Sequence, residues 1–466
     1  MVSLPGLHLT ATALEPANPA ETTQTRSQDL LPCSEYRFEV PFTRSLTIRL
    51  LSGTAEFFGT ELAPSSTYAF TGTKGAVYTW RGCRLEIGGL AESEYTSEET
   101  QMSSYANAHF ALEGLRDRSM QTGEPGPRVL VVGPENAGKT SVVRILTAYA
   151  VKSGRQPVVV NLDPRQGMLS VPGSFTAAAF SSIVDVEDGW GSSPISGPSP
   201  IPVKMPLVYH YGLASAEDGA TFKPLVTRMA LAVTSRLEED VPSRQAGFII
   251  DTPGSVSQGK GGDYDHIDHI ISEFSVSVLF VLGSERLYSD LSRKYSSRSH
   301  DEAVAVIRLD KSGGCVDRDE AYMKQLRQAQ IRAYFFGHGD HTLAPHSHMA
   351  DYDELNIFRV FDPASDPNAA FRPGNDDDDI FGTSTTIYEK VKPSTMIQNS
   401  LLAITMASAN EPQEVIRDTS IQGYIYVADV DDVKKKVRLL SPQPGQTPSN
   451  ALILGSFPED LPGLVS

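Results

Sequence analysis

Cysteine is scarce in this chain, with three in 466 residues, at positions 33, 83 and 315. An odd number at such wide spacing excludes a disulfide framework and points to a reducing compartment. Cys33, Cys83 and Cys315 are expected to be buried thiols without chemistry of their own. Positive charge is short as well: 40 Lys and Arg stand against 57 Asp and Glu, a net charge of −17. Such a surface repels a polyanion, so an extended basic track is not expected and RNA contact is expected to be weak or indirect. An RNA end entering a local pocket is not excluded. Long apolar runs are missing too. No stretch of eighteen apolar residues exists, so no membrane span is expected. The first residues lack a basic region followed by an apolar core, so no secretory signal is expected. Polar and rich in Pro and Thr, residues 1–33 read as a mobile tail.

What is present exceeds one core, and the length favours two or three domains. From 34 to 108 the pattern alternates with period two and breaks at glycines, as in "YRFEVPF", "SLTIRLLSG" and "GAVYTW". Short strands at that spacing predict an antiparallel β-sandwich. "SSYANAHFALEGLRDRSM" has helical spacing and connects the sandwich to the central region. From 109 to 342 apolar strands ("RVLVVG", "QPVVVNLDP", "QAGFIIDTPG", "SVLFVLG") alternate with helical segments, which predicts a parallel sheet covered on both faces. Residues 188–202, "DGWGSSPISGPSPIP", read as a solvated loop insertion. From 343 to 466 strands return, predicting a small α/β domain, with the acidic run 375–379 as a solvated loop. The overall expectation is a multidomain α/β protein.

One string carries chemistry with high specificity. "GPENAGKT" matches G-x-x-x-x-G-K-[ST] at Gly133, Gly138, Lys139 and Thr140, between a strand and a helix. The glycines let backbone N–H groups close around phosphates, the lysine reaches the β- and γ-phosphates, and the threonine hydroxyl holds Mg²⁺. A P-loop nucleotide site is therefore predicted. Asp163 ends the second strand, where it can orient Mg²⁺ or take a proton, or simply cap the turn before Pro164. Asp251, after four apolar residues, is placed as the acid that bonds Mg²⁺ or its waters. Arg286 and Arg293 stand seven apart on one predicted helix and share a face, either as a lid over a triphosphate or as solvated surface. The tract His338, Asp340, His341, His346, His348 offers metal ligands but carries a proline and no cysteine, and reads as an interdomain loop. "GKGGDYDHIDH" reads as a flexible loop. "DTPG" raises a GTPase-like switch, against which no N-K-x-D guanine string stands downstream.

Taken together, "SEYRFEV", "GTAEFFGTELA", "GTKGAVYTWRGC", "PRVLVVGPENAGKTSVVRIL", "VVVNLDPRQGMLSVPG", "SERLYSDLSRKY" and "DKSGG" resemble the Clp subunit family of the pre-mRNA cleavage and polyadenylation machinery. That family is related to polynucleotide 5′-hydroxyl kinases. The resemblance implies an ATP site shared between two domains, with Glu35 and Lys74 at the adenine end and Asn136, Ala137, Gly138, Lys139, Thr140 and Ser141 around the phosphates. Thr140, Asp163 and Asp251 would hold Mg²⁺. It also implies a nuclear protein that binds the Pcf subunit of cleavage factor IA. If the chain is an active RNA kinase, Asp163 with Gln166, Lys139, Arg286 and Arg293 match the active pattern. One departure weighs against transfer: active members carry a tryptophan in "T-x-G-W", and here Ser255 stands in its place in "TPGS". Loss of a base-stacking aromatic removes ~1–3 kcal/mol from a substrate site. The expectation is an ATP-holding scaffold, with the RNA 5′-hydroxyl kinase as the alternative.

Overall fold

The computed structural model describes residues 25–190, 206–216, 221–259, 263–296, 303–338, 341–361, 387–445 and 448–465. The acidic run 375–379 and most of the 188–202 insertion fall outside them. No helix among the described residues is long and apolar enough to cross a membrane.

Alternation sends Leu46, Ile48 and Leu50 of the strand Leu46–Gly53 to one buried face. Two antiparallel sheets form around such faces. One orders Arg26–Leu30, Cys83–Gly89, Leu46–Gly53 and Thr67–Phe70; the other orders Thr60–Glu61, Glu56–Phe57, Lys74–Thr79, Ser34–Glu39 and Ser93–Ser97. Phe38, Phe57 and Phe70 pack between them. The segment 1–33 is not a tail throughout, because Arg26–Leu30 pairs with Cys83–Gly89 and buries Leu30. This strand is polar at four of its five positions, so alternation could not reveal it. Backbone pairing and an exposed bidentate Arg84–Asp29 contact (2.6 and 2.9 Å) accompany its docking.

The central sheet orders Leu207–His210, Ser174–Ala179, Val158–Asn161, Phe248–Asp251, Arg128–Val132, Val278–Leu282 and Ala305–Leu309. The last five run parallel, while the two at one edge are antiparallel. The sheet is thus mixed, not wholly parallel as expected. A parallel step needs a helical crossover, and the segment from Asn161 to Ser174 contains no helix. The helix Lys139–Lys152 and the connecting helix Met102–Thr122 cover one face, and Phe222–Glu239 with Asp265–Phe274 cover the other.

Among the described residues the C-terminal region is nearly all sheet, with seven strands in one sheet and one short α-helix, Gln413–Asp418. One of its edge strands is His346–Asp351, so His346 and His348 lie in a sheet and not in an interdomain loop. The side chains of His338, Asp340 and His341 lie outside the description. The expected division between central and C-terminal domains is not a division of cores. One apolar cluster runs from Phe175, Tyr211 and Phe222 through Tyr334 to Tyr424, Tyr426 and Ile453. Tyr334, on the helix Glu320–Phe336, accepts a hydrogen bond from Tyr424 N at 2.9 Å. Tyr334→Phe leaves that buried N–H without its acceptor, at an expected cost of about 1–3 kcal/mol. Denaturant unfolding monitored by probes in both regions checks it, and one shared transition is expected.

Candidate nucleotide site

The strand Arg128–Val132 delivers the chain into a turn that only particular backbones allow. Gly133, Asn136 and Gly138 have φ of 155°, 55° and 88°. A Cβ at Gly133 would stand 2.5 Å from the Leu282 carbonyl oxygen, and one at Gly138 2.7 Å from Cys315 Sγ. The helix Lys139–Lys152 then starts without a side-chain cap, so its first N–H groups and its dipole are left for an anion. Lys139 Nζ donates to the Gly133 and Pro134 carbonyls at 3.0 and 2.8 Å. Burial lowers its pKa from the ordinary lysine value, opposed by the nearby Asp251 and Asp163.

Thr140 Oγ1 donates to Asp251 Oδ2 at 2.6 Å, and Thr252 N donates to Asp251 Oδ1 at 3.0 Å. Burial pushes the Asp251 carboxyl up to about 6, against the pull of Thr140 and Lys139. A hydroxyl and a carboxylate in contact form a hard-oxygen donor set, which fits Mg²⁺. Asp163 is compatible with both of its expected roles. Its Oδ1 accepts from Arg165 N at 3.0 Å, closing the turn, while Oδ2 accepts from Gln166 Nε2 at 3.1 Å. Gln166 Oε1 in turn accepts from Arg318 at 3.1 Å.

A cavity of about 280 Å³ begins at Asn136 to Ser141, with Asp163 beside it, and reaches the β-sandwich. Tyr78, Met102, Tyr105, Val142 and Ile145 give it apolar walls, and Glu35 and Lys74 of the sandwich line it too. Two further charged residues there are not marked by any motif. Arg37 pairs with Glu35 at 2.7 Å, and Glu39 pairs with Lys74 at 2.7 Å. The strand "SEYRFE" contains the signal, since period two puts Glu35, Arg37 and Glu39 on one face. A third wall comes from Ser312, Gly314, Cys315, Val316 and Arg318. Tyr322 just beyond sets its ring 5.0 Å from Lys74 Nζ.

Not every candidate converges. Arg286 and Arg293 are exposed on the helix Glu285–Ser296, and neither lines the cavity. Arg286 stands 3.9 Å from Asp290 of its own helix. Gly254 lines the cavity and Ser255 does not. Cys83 is buried as expected, Cys33 is exposed, and Cys315 is a half-buried part of the cavity wall. Among the described residues, Asp263, Asp265 and Asp268 form a group close enough to share a metal ion, away from this cavity.

Three family models match the chain in succession. They are the N-terminal β-sandwich domain of polyadenylation factor over 29–119, the mRNA cleavage and polyadenylation factor CLP1 P-loop over 133–337, and the pre-mRNA cleavage complex II protein Clp1 over 343–459. The mRNA cleavage and polyadenylation factor CLP1 of Phaeosphaeria nodorum is 67% identical over 469 aligned residues, covering 100% of both chains. The chain belongs to the Clp1 family of mRNA cleavage and polyadenylation factors. The Clp1 protein of Botryotinia fuckeliana is 54% identical, covering 98% of each chain. Among solved structures, a wild-type Clp1p–Pcf11p complex superposes with a TM-score of 0.83 at 28% identity, covering 93% of this chain and 98% of that one. A second, which concerns the extended Pcf11p–Clp1p interface and ATP loss in a glycine-to-arginine point mutant, gives 0.82 at 27% identity, covering 93% and 99%. The P-loop of this Clp1-family chain is a nucleotide-binding loop.

Gly138→Ala is expected to lower nucleotide affinity, since the left-handed backbone alone costs roughly 1–2 kcal/mol. Adding Cys315→Ala relieves the thiol contact and is expected to recover only part of the loss, measured by calorimetric titration. A pH dependence arises from Asp251. Its folded-state pKa, raised to about 6 from 3.8, favours the neutral form. Its contribution to stability is present below the unfolded value and is lost as pH rises through 6. Asp251→Asn is expected to gain on nucleotide-free wild type between pH 4 and 7, by roughly 3 kcal/mol at most. Denaturant midpoints across that range test it.

Proposed function

We propose that this chain holds ATP as a retained ligand and serves as a scaffold subunit of the nuclear pre-mRNA 3′-end cleavage and polyadenylation machinery, binding the Pcf subunit. The observation that carries the ATP reading is one cavity lined both by the phosphate loop and by the β-sandwich strand bearing Glu35. A nucleotide lying in it touches both. Gly133 and Asn136 to Ser141 surround the phosphates, while Glu35 and Lys74 receive the base end. Thr140, Asp251 and Asp163 would hold Mg²⁺, which when bound neutralises charge between the β- and γ-phosphates.

The scaffold reading draws on what the acceptor side lacks. No aromatic stands at position 255 to stack a base, and Arg286 and Arg293 lie outside the cavity. The net charge of −17 disfavours RNA. Binding to a Pcf subunit is supported by the superposition on Clp1p in complex with Pcf11p. Nuclear residence accords with the work of such factors on pre-mRNA. A second reading, an RNA 5′-hydroxyl kinase, draws on Asp163, which lines the cavity with Gln166 and Arg318 beside it.

Protein purified without added nucleotide is expected to release intact ATP on denaturation, identified by chromatography. Recovery of ADP alone, or of no nucleotide, overturns the retained-ligand reading. Added ATP at a thousandfold excess over its Kd is expected to stabilise stripped protein by about 4 kcal/mol, and Lys139→Ala to abolish the gain. With labelled ATP and 5′-hydroxyl RNA, no transfer above the Lys139→Ala control is expected. Clear transfer would establish the kinase instead.

A further inference from the structure

Glu35 is a buried carboxylate, and such a group needs a counter-charge or donors. Arg37 gives both. Its Nη2 donates to Glu35 Oε1 at 2.7 Å and to the Glu99 carbonyl at 2.7 Å, and its Nη1 reaches Tyr95 Oη at 3.4 Å. The guanidinium lies 5.6 Å from the Tyr95 ring centroid. Gly314 closes the other side, where a Cβ would stand 2.8 Å from Arg37 Nε. The fork is thereby fixed from the strand Ser34–Glu39, from residues 95–99 and from the loop containing Gly314. It engages one oxygen of Glu35, and among the described residues Oε2 accepts no hydrogen bond.

We propose that Arg37 is the positioning residue for base selection. It fixes Glu35 so that Oε2 accepts a hydrogen bond from the 6-amino group of adenine. The inference rests on the proposed placement of the base end at Glu35. A carboxylate only accepts, so a 6-oxo purine would set oxygen against oxygen. A site built around such a bond rejects the analogue that lacks the donor. The second pair, Lys74 with Glu39, balances the first, and a neutral base then meets two compensated pairs and no net charge.

The test compares ATP with inosine triphosphate, which replaces the 6-amino group by oxygen, on the nucleotide-stripped full chain by calorimetry. Wild type is expected to prefer ATP by about tenfold or more, the worth of a hydrogen bond to a charged group. In Arg37→Gln the preference is expected to fall to within about threefold, through loss of ATP affinity, with the ATP-to-ADP ratio unchanged. Equal weakening of both triphosphates, or an unchanged preference, overturns the proposal. If Arg37→Gln does not fold by circular dichroism, Arg37→Lys carries the same comparison, because it keeps the charge and loses the fork. A preference reduced by about threefold supports the proposal, and a wild-type preference overturns it. Glu35→Gln separates the two levels. If that change leaves the wild-type preference intact, the base does not sit at Glu35 and the underlying reading fails. If it removes the preference while Arg37→Gln does not, only the role of Arg37 fails.

Discussion

The phosphate loop is shaped by its backbone, and the backbone is shaped by what crowds it. The Leu282 carbonyl stands against Gly133 and the Cys315 thiol against Gly138, so the left-handed turns are held from outside. Those outside atoms belong to a neighbouring sheet strand and to the loop after the strand Ala305–Leu309. The rest of the site inherits this constraint. The same loop carries Gly314, which seals Arg37, and leads into the helix Glu320–Phe336, whose Tyr322 faces Lys74. One run of about ten residues thus crowds the phosphate loop and the charged pairs of the sandwich strands.

Contacts within the protein itself hold the sandwich against the central region. Thr60 Oγ1 donates to the Val184 carbonyl at 3.0 Å, Tyr149 donates to the buried Glu56, and the Arg144 guanidinium lies 5.2 and 5.4 Å from the Phe57 and Phe58 rings. Tyr149 and Arg144 bring the helix Lys139–Lys152 against the sandwich through these contacts. They set the sandwich in place; a ligand in the cavity would add to a docking that already exists. Such a ligand would be left the narrower task of fixing the cavity's own walls.

Much of this was legible in the sequence because it is local. The phosphate loop is a fixed spacing of backbone-permissive residues, and period-two alternation marks strands with one buried face. Polar strands such as Arg26–Leu30 have no such mark. The antiparallel strands Ser174–Ala179 and Leu207–His210 flank an insertion whose length hides their pairing. The helix Glu320–Phe336 has mixed periodicity and escapes notice, although Asp319 accepts from Tyr322 N at 2.7 Å as a helix cap should. Periodicity put Arg286 and Arg293 on one face but could not say where that face points. Glu35 shows the opposite limit. A glutamate in a strand reads as solvated, yet it is 5% exposed, and only the family likeness placed it at the site.

The apolar cluster that joins the central sheet to the C-terminal strands has a consequence for synthesis. Phe175 and Phe222 emerge from the ribosome more than two hundred residues before Ile453, which completes their shared interior. At roughly 5–20 residues per second that interval is tens of seconds at the slower rates. Once Leu282 and Cys315 have followed, the nascent chain carries a finished phosphate loop above an unfinished greasy flank, which is the kind of surface that chaperones shield.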